Sequence, residues 1–152
     1  MVLPKATKFI YVLLRALRVH QWVKNLLIFV PLLASHNILQ LELIGQTVLA
    51  FLSMSFCASS AYIVNDLSDV ESDRRHHSKQ RRPFASGELS IPAGLLMAPL
   101  LAAGGIALSL MLPRMATAIL LCYVFLSSAY TYWFLSKGFR VPSSPFAYRA
   151  HC

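Results

Sequence analysis

A chain of 152 residues has room for one domain. Its hydrophobic share of 57% and mean hydropathy of +0.58 lie far above those of soluble globular proteins. A net charge of +8 would suit a nucleic-acid partner, but this hydropathy excludes that class and points to an integral membrane protein surrounded by lipid. The three cysteines, Cys57, Cys122 and Cys152, are far apart, and two lie in apolar runs as small hydrophobes, which excludes a disulfide framework and a cysteine metal site.

Residues 4–19 place Lys5, Lys8, Arg15 and Arg18 within roughly 140° of a helix, with Phe9, Ile10, Leu13, Leu14 and Leu17 filling much of the rest. That pattern suits a helix lying on an anionic membrane surface, and equally a cytoplasmic lead-in to a first span. Arg15 and Arg18 interrupt the apolar stretch, so it does not read as a cleaved signal peptide. The run Leu26 to Ala34 is shorter than the ~20 residues a span needs. The first span is therefore expected over about residues 20–38, taking in His20-Gln21-Trp22-Val23-Lys24-Asn25 with its polar groups facing the bundle interior. Pro31 is a candidate kink, and residues 35–42 form the far-side turn.

The second span is expected over about 43–65, where Ser53, Cys57 and Ala61 recur every four residues as a small-residue packing stripe. A polar loop, 66–90, carries Arg74, Arg75, Lys79, Arg81 and Arg82, then Pro83, Gly87 and Glu88. The third span is expected over about 91–112, with Pro92 in its first turn and Gly104-Gly105 for close packing. Pro113-Arg114 is a tight turn. The fourth span, about 115–135, carries Tyr123, Tyr130, Tyr132 and Trp133 as interface anchors. Four spans put thirteen of the fourteen Lys and Arg residues on one side, with Arg114 opposite. By the positive-inside rule that side is the cytoplasmic face of the plasma membrane. Residues 138–152 read as turn and loop.

Four of the six acidic residues crowd into Asn65-Asp66-Leu67-Ser68-Asp69-Val70-Glu71-Ser72-Asp73, at the cytoplasmic lip of the second span. On a helix, Asp66, Asp69 and Asp73 share an arc of about 60°, bordered by Asn65. Three carboxylates on one stripe repel each other, and a divalent cation removes that cost. Mg²⁺ takes oxygen ligands, usually one or two carboxylates plus substrate phosphates. The expected site is a Mg²⁺-diphosphate site with Asp66, Asp69 and Asp73 as metal ligands. Lys79, Arg81 and Arg82, six to nine residues after Asp73, are expected to hold phosphate oxygens. Lys24 and Asn25, on the same side of the membrane, are candidates for a phosphate or head-group contact. His76-His77 has no second pair at ligand spacing, and no nucleophile motif or glycine-rich phosphate loop is present.

The combination Asn65-Asp66-x-x-Asp69-x-x-x-Asp73, followed by Lys79-Gln80-Arg81-Arg82-Pro83-Phe84-Ala85-Ser86-Gly87, resembles the first aspartate-rich motif and basic segment of the UbiA superfamily of intramembrane prenyltransferases. Arg18-Val19-His20-Gln21-Trp22-Val23-Lys24-Asn25 is similar to the opening of its decaprenyl-phosphate phosphoribosyltransferase branch. The resemblance covers roughly residues 15–135. It implies an all-α integral membrane bundle of two repeats, with residues 1–137 as the first half of it. It implies a transferase that uses Mg²⁺, a diphosphate donor and an isoprenoid substrate, and releases pyrophosphate. The partners it implies are a polyprenyl phosphate or diphosphate and a phosphorylated or aromatic co-substrate. Phosphoribosyl transfer to a polyprenyl phosphate is one expectation, and 4-hydroxybenzoate-type prenylation is the alternative. The family's second aspartate motif has no counterpart after residue 135, which makes a truncated or frame-shifted, inactive chain a further expectation.

Overall fold

The computed structural model describes residues 5–35 and 39–136. The described residues form helices and turns, without a strand. In chain order they are α1 (Lys5–Ala16), a 3-10 run (Val19–Ile28) that continues into α2 (Phe29–Ala34), α3 (Leu41–Ser68), α4 (Val70–Arg75), a 3-10 turn (Lys79–Arg81), α5 (Ile91–Ser109) and α6 (Arg114–Ser136). The tail 138–152 lies outside the described residues, as do residues 36–38 of the expected far-side turn and the side chains of Tyr130, Tyr132 and Trp133.

Helices α3 and α5 are long and apolar enough to cross a membrane, and they pack against each other most extensively. Their surfaces are inverted relative to a soluble core. The buried residues of α3 include Ser53, Ser55, Cys57, Ser59 and Ser60, and those of α5 are Gly94, Ala98, Gly105 and Ser109. Leu95, Leu96, Leu100 and Ile106 point outward. Small residues inside and large apolar residues outside are what lipid-embedded helices require, because lipid gives leucine no reason to hide.

The two helices run antiparallel in a fixed register. Ser53 Oγ donates to the Gly105 carbonyl at 2.6 Å, and Ser60 Oγ donates to the Ala98 carbonyl at 2.8 Å. Seven residues separate the contacts on each helix, so the two stay in step. Gly105 permits the approach, since a Cβ there would lie 2.6 Å from Cys57 Sγ. At the start of α5, Ser90 caps the helix by accepting from the Ala93 amide at 3.4 Å, with proline in the first turn as expected.

The first expected span departs from an ordinary α-helix. Ten residues, Val19–Ile28, wind as a 3-10 helix before α2 begins at Phe29, two residues ahead of Pro31. Its register on α3 gives the reason. Trp22 Nε1 donates to Ser59 Oγ and Asn25 Nδ2 donates to Ser55 Oγ, each at 3.0 Å, and the Phe29 and Phe51 rings meet at 5.9 Å. Three residues of 3-10 helix rise about 6 Å, and four residues of α-helix rise about 6 Å as well. An α-helical turn would carry Asn25 only about 4.5 Å past Trp22, out of step with the serines. The 3-10 pitch also lengthens the segment: Val19–Ala34 reaches about 29 Å, close to the ~30 Å hydrocarbon core.

At one end of the bundle an apolar cluster gathers Val12 and Ala16 of α1, Ile63, Val70, Phe84, Leu89 and Ala98. Phe84 is 1% exposed and fills the space above Gly94, where a Cβ would lie 2.6 Å from its ring. Helix α1 thus packs on the protein through Val12 and Ala16 and turns Phe9, Ile10, Tyr11 and Leu14 outward. This cluster is the floor of the site described next.

Candidate functional site

The acidic stretch is helical across a small irregularity. Asp69 separates α3 from α4, yet its amide donates to the Asn65 carbonyl at 3.0 Å and its carbonyl accepts from Asp73 at 2.8 Å. The i to i−4 pattern therefore continues, and Asp66 and Asp73, two turns apart, face the same side. They are 3% and 1% exposed. Burying two carboxylates is costly unless each is paired. Arg82 pairs both: its Nη1 donates to Asp66 Oδ1 at 3.2 Å and to Asp73 Oδ2 at 2.7 Å. Asp66 Oδ1 also accepts from Arg18 Nη2 at 2.6 Å.

The basic segment is folded to aim Arg82 inward. Arg82 is extended (φ −65, ψ 144), the conformation that Pro83 after it favours. The Ser86 amide donates to the Arg82 carbonyl at 2.8 Å, and the Leu89 amide donates to the Pro83 carbonyl at 3.0 Å. Gly87 closes the turn at φ 79, a conformation that favours glycine. Arg15 ties this turn to α1: it pairs with Glu88 at 3.0 Å and donates to the Arg81 carbonyl.

Arg15, Arg18, His20, Asp66, Ser78, Arg81, Arg82 and Pro83 line a cleft of ≈ 330 Å³. Four guanidinium groups meet three carboxylates here, Asp66, Asp73 and Glu88, so the balance stays positive and suits an anion, and pockets of about 300 Å³ hold small molecules. Of the expected phosphate contacts, Arg81 and Arg82 line the cleft. Lys79 is exposed and not among its lining residues. Lys24 is also exposed and outside it. Asn25 is spent on Ser55, eleven residues from Asp66 along α3 or about 16 Å.

The carboxylates do not by themselves form the three-ligand cluster expected of them. Among the described residues no three His, Cys, Asp or Glu side chains come together as a metal-holding group. Arg82 draws Asp66 and Asp73 into one pairing, and Asp69, half-buried at the helix junction, makes no ion pair among the described residues. Among the described residues, two buried oxygens have no hydrogen-bond partner, Asn65 Oδ1 and Asp73 Oδ1. Both are hard oxygen donors. The residues present therefore fit a Mg²⁺ ion that arrives with phosphate ligands of its own, rather than one caged by protein alone.

Arg15, Arg18, His20, Ser78 and Glu88 join this site without having been marked for it from the sequence. Arg18 had a trace, since it opens the octapeptide quoted above. His20 lies in the same octapeptide, whereas Arg15 and Glu88 had none, because they meet each other across 73 residues of chain.

The sequence profile of the UbiA prenyltransferase family matches residues 26–142. The chain belongs to the UbiA prenyltransferase family. It is 42% identical over 118 residues to the nodulation protein NoeC of Azorhizobium caulinodans, covering 76% of this chain and 37% of that protein. It is 42% identical over 99 residues to a decaprenyl-phosphate phosphoribosyltransferase of Corynebacterium glutamicum, covering 64% and 30%. The protein of that name from Mycobacterium tuberculosis is 33% identical over 122 residues, covering 78% and 40%. These relatives put the chain on the phosphoribosyltransferase-like side of the UbiA family, as the octapeptide implied. The chain spans 40% or less of the length of each of the three. The UbiA family is one of integral membrane proteins, in agreement with the inverted surfaces of α3 and α5.

Proposed function

We propose that this chain forms the donor-phosphate site of a Mg²⁺-dependent membrane transferase that passes 5-phosphoribose from a diphosphate donor to a polyprenyl phosphate and releases pyrophosphate. One observation carries the reading. The cleft beside the buried Asp66 and Asp73 is lined by four arginines, His20 and Ser78, and Pro83 is its only apolar lining residue among the described residues. A prenyl diphosphate donor needs an apolar wall for its tail beside its phosphates, whereas a phosphorylated sugar needs charge and hydrogen bonds throughout. The Corynebacterium and Mycobacterium relatives, both decaprenyl-phosphate phosphoribosyltransferases, support the same donor and acceptor classes.

In this reading Asp66 and Asp73, with Asn65 and Asp69 beside them, hold the Mg²⁺. The bound ion supplies Lewis-acid stabilisation of the departing diphosphate. Arg81 and Arg82 hold phosphate oxygens, and Lys79 adds positive charge at the rim. Together they offset the charge that grows on pyrophosphate as it leaves the sugar C1 and the acceptor phosphate oxygen attacks there. Lys24, exposed outside the cleft, meets a phosphate or head group of the acceptor, while Asn25 holds its helix on Ser55. The four spans, over about 20–38, 43–65, 91–112 and 115–135, set the cleft at the cytoplasmic face, and residues 1–137 form the first repeat of the family's bundle.

A second reading is that the cleft binds the donor without turning it over, because no three His, Cys, Asp or Glu side chains come together among the described residues to hold a metal. One assay separates the readings. Purified protein in nanodiscs is given Mg²⁺ and either phosphoribosyl diphosphate with polyprenyl phosphate, or prenyl diphosphate with 4-hydroxybenzoate. The proposal expects pyrophosphate release from the first pair, lost in Asp66→Asn and Asp73→Asn. Donor binding without release, itself lost in Asp66→Asn, establishes the second reading. Release that survives both substitutions would sink the site.

A further inference from the structure

Arg18 is held in the cleft at a conformational cost. Its backbone is left-handed, φ 50 and ψ 44, the only positive φ at a non-glycine among the described residues. Such a position costs on the order of 1 kcal/mol and persists where the surroundings over-determine it. Here they do. Arg18 Nη2 donates to Asp66 Oδ1 at 2.6 Å, and the guanidinium lies 4.8 Å from the centre of the Tyr62 ring. The pairing is uneven, however. Asp66 Oδ1 accepts from both Arg18 and Arg82, while Asp73 Oδ1, equally buried, accepts from nothing among the described residues. One anionic oxygen has two cationic donors and its neighbour has an oxygen to spare. A guanidinium grips phosphate with the same forked geometry as carboxylate, and Arg18 already lines the ≈ 330 Å³ cleft.

We infer that Arg18 is a donor-binding residue which serves as counter-ion to Asp66 until the donor arrives. A diphosphate entering with its cation draws Arg18 from Asp66 onto phosphate oxygens, and the cation takes the vacated side of Asp66. Every charge keeps a partner: the cation replaces Arg18 at the carboxylate, and phosphate replaces the carboxylate at Arg18. Arg82 stays in place, because Asp73 holds it at 2.7 Å. Cation and anion displace the same ion pair, so each makes room for the other, and the coupling is reciprocal. The inference rests on the proposed function and adds a residue and an order of exchange to it.

Two titrations in nanodiscs test it: Mn²⁺ without phosphate, followed by electron paramagnetic resonance, and pyrophosphate without metal, followed by calorimetry. The variants are Arg18→Gln and Arg18→Gly. Glycine adopts the left-handed backbone without strain, so the second variant keeps the fold. Both variants are expected to bind Mn²⁺ about tenfold tighter and pyrophosphate about tenfold more weakly, within the usual range of coupling between sites. A purely structural role moves both affinities in the same direction. Parallel shifts, or no shift in either variant, overturn the inference. Failure of the underlying site looks different: wild-type protein then binds neither ligand, or Asp66→Asn leaves Mn²⁺ binding unchanged.

Discussion

Arg82 pairs with two buried carboxylates at once, and that makes it the residue on which the site's stability turns. Removing one partner of a buried pair leaves charge without compensation, at a cost of about 3 to 5 kcal/mol. Arg82→Gln is expected to lower stability by about 3 kcal/mol, measured by thermal unfolding in detergent, because Arg18 still covers part of Asp66. Arg82→Gln combined with Asp73→Asn should recover part of that loss, since the second change removes the uncompensated charge. At this scale the carboxylates were legible and their partners were not. Asp66 and Asp73 are two helical turns apart in one element, so sequence spacing alone puts them together. Arg18 reaches Asp66 across 48 residues, and no local pattern carries that information. Lys24 and Asn25 illustrate the converse. They are expected on the same membrane side as the acids, but packing decides their neighbours, and Asn25 donates to Ser55 instead.

Between elements, glycine and serine set the spacing that leucine sets in a soluble core. Gly105→Ala would place a methyl 2.6 Å from Cys57 Sγ and 2.9 Å from the Ser53 carbonyl. Backbone cannot yield as a side-chain tip can, so the expected loss is about 2 kcal/mol, with little recovery from Cys57→Ala. Unfolding followed in sodium dodecyl sulfate would measure it. The 3-10 ladder admits a separate check. A double-mutant cycle on Asn25→Ala and Ser55→Ala should give a coupling of about 0.6 kcal/mol, the usual value for a hydrogen bond between membrane helices. No coupling would mean that the pitch of this segment has another cause. The packing of Ser53 and Cys57 was visible in advance because four-residue periodicity is local. The 3-10 pitch was not, because it follows from the register of two segments some 30 residues apart.

For the whole molecule, the distribution of charge sets the orientation. The 66–90 loop is expected in the cytoplasm and Arg114 on the far side. In a background with the native cysteines replaced by alanine, an impermeant maleimide added to intact cells should label Met115→Cys and spare Ser78→Cys. The reverse pattern would overturn this orientation. One feature connects the two faces. If the ten residues of the 3-10 run rewound into an α-helix, the segment would shorten by about 5 Å. That stroke exceeds the slack in a 2.6 Å ion pair, and Arg18 stands at the end of the run. Any rewinding of that run would therefore be felt at the grip of Arg18 on Asp66.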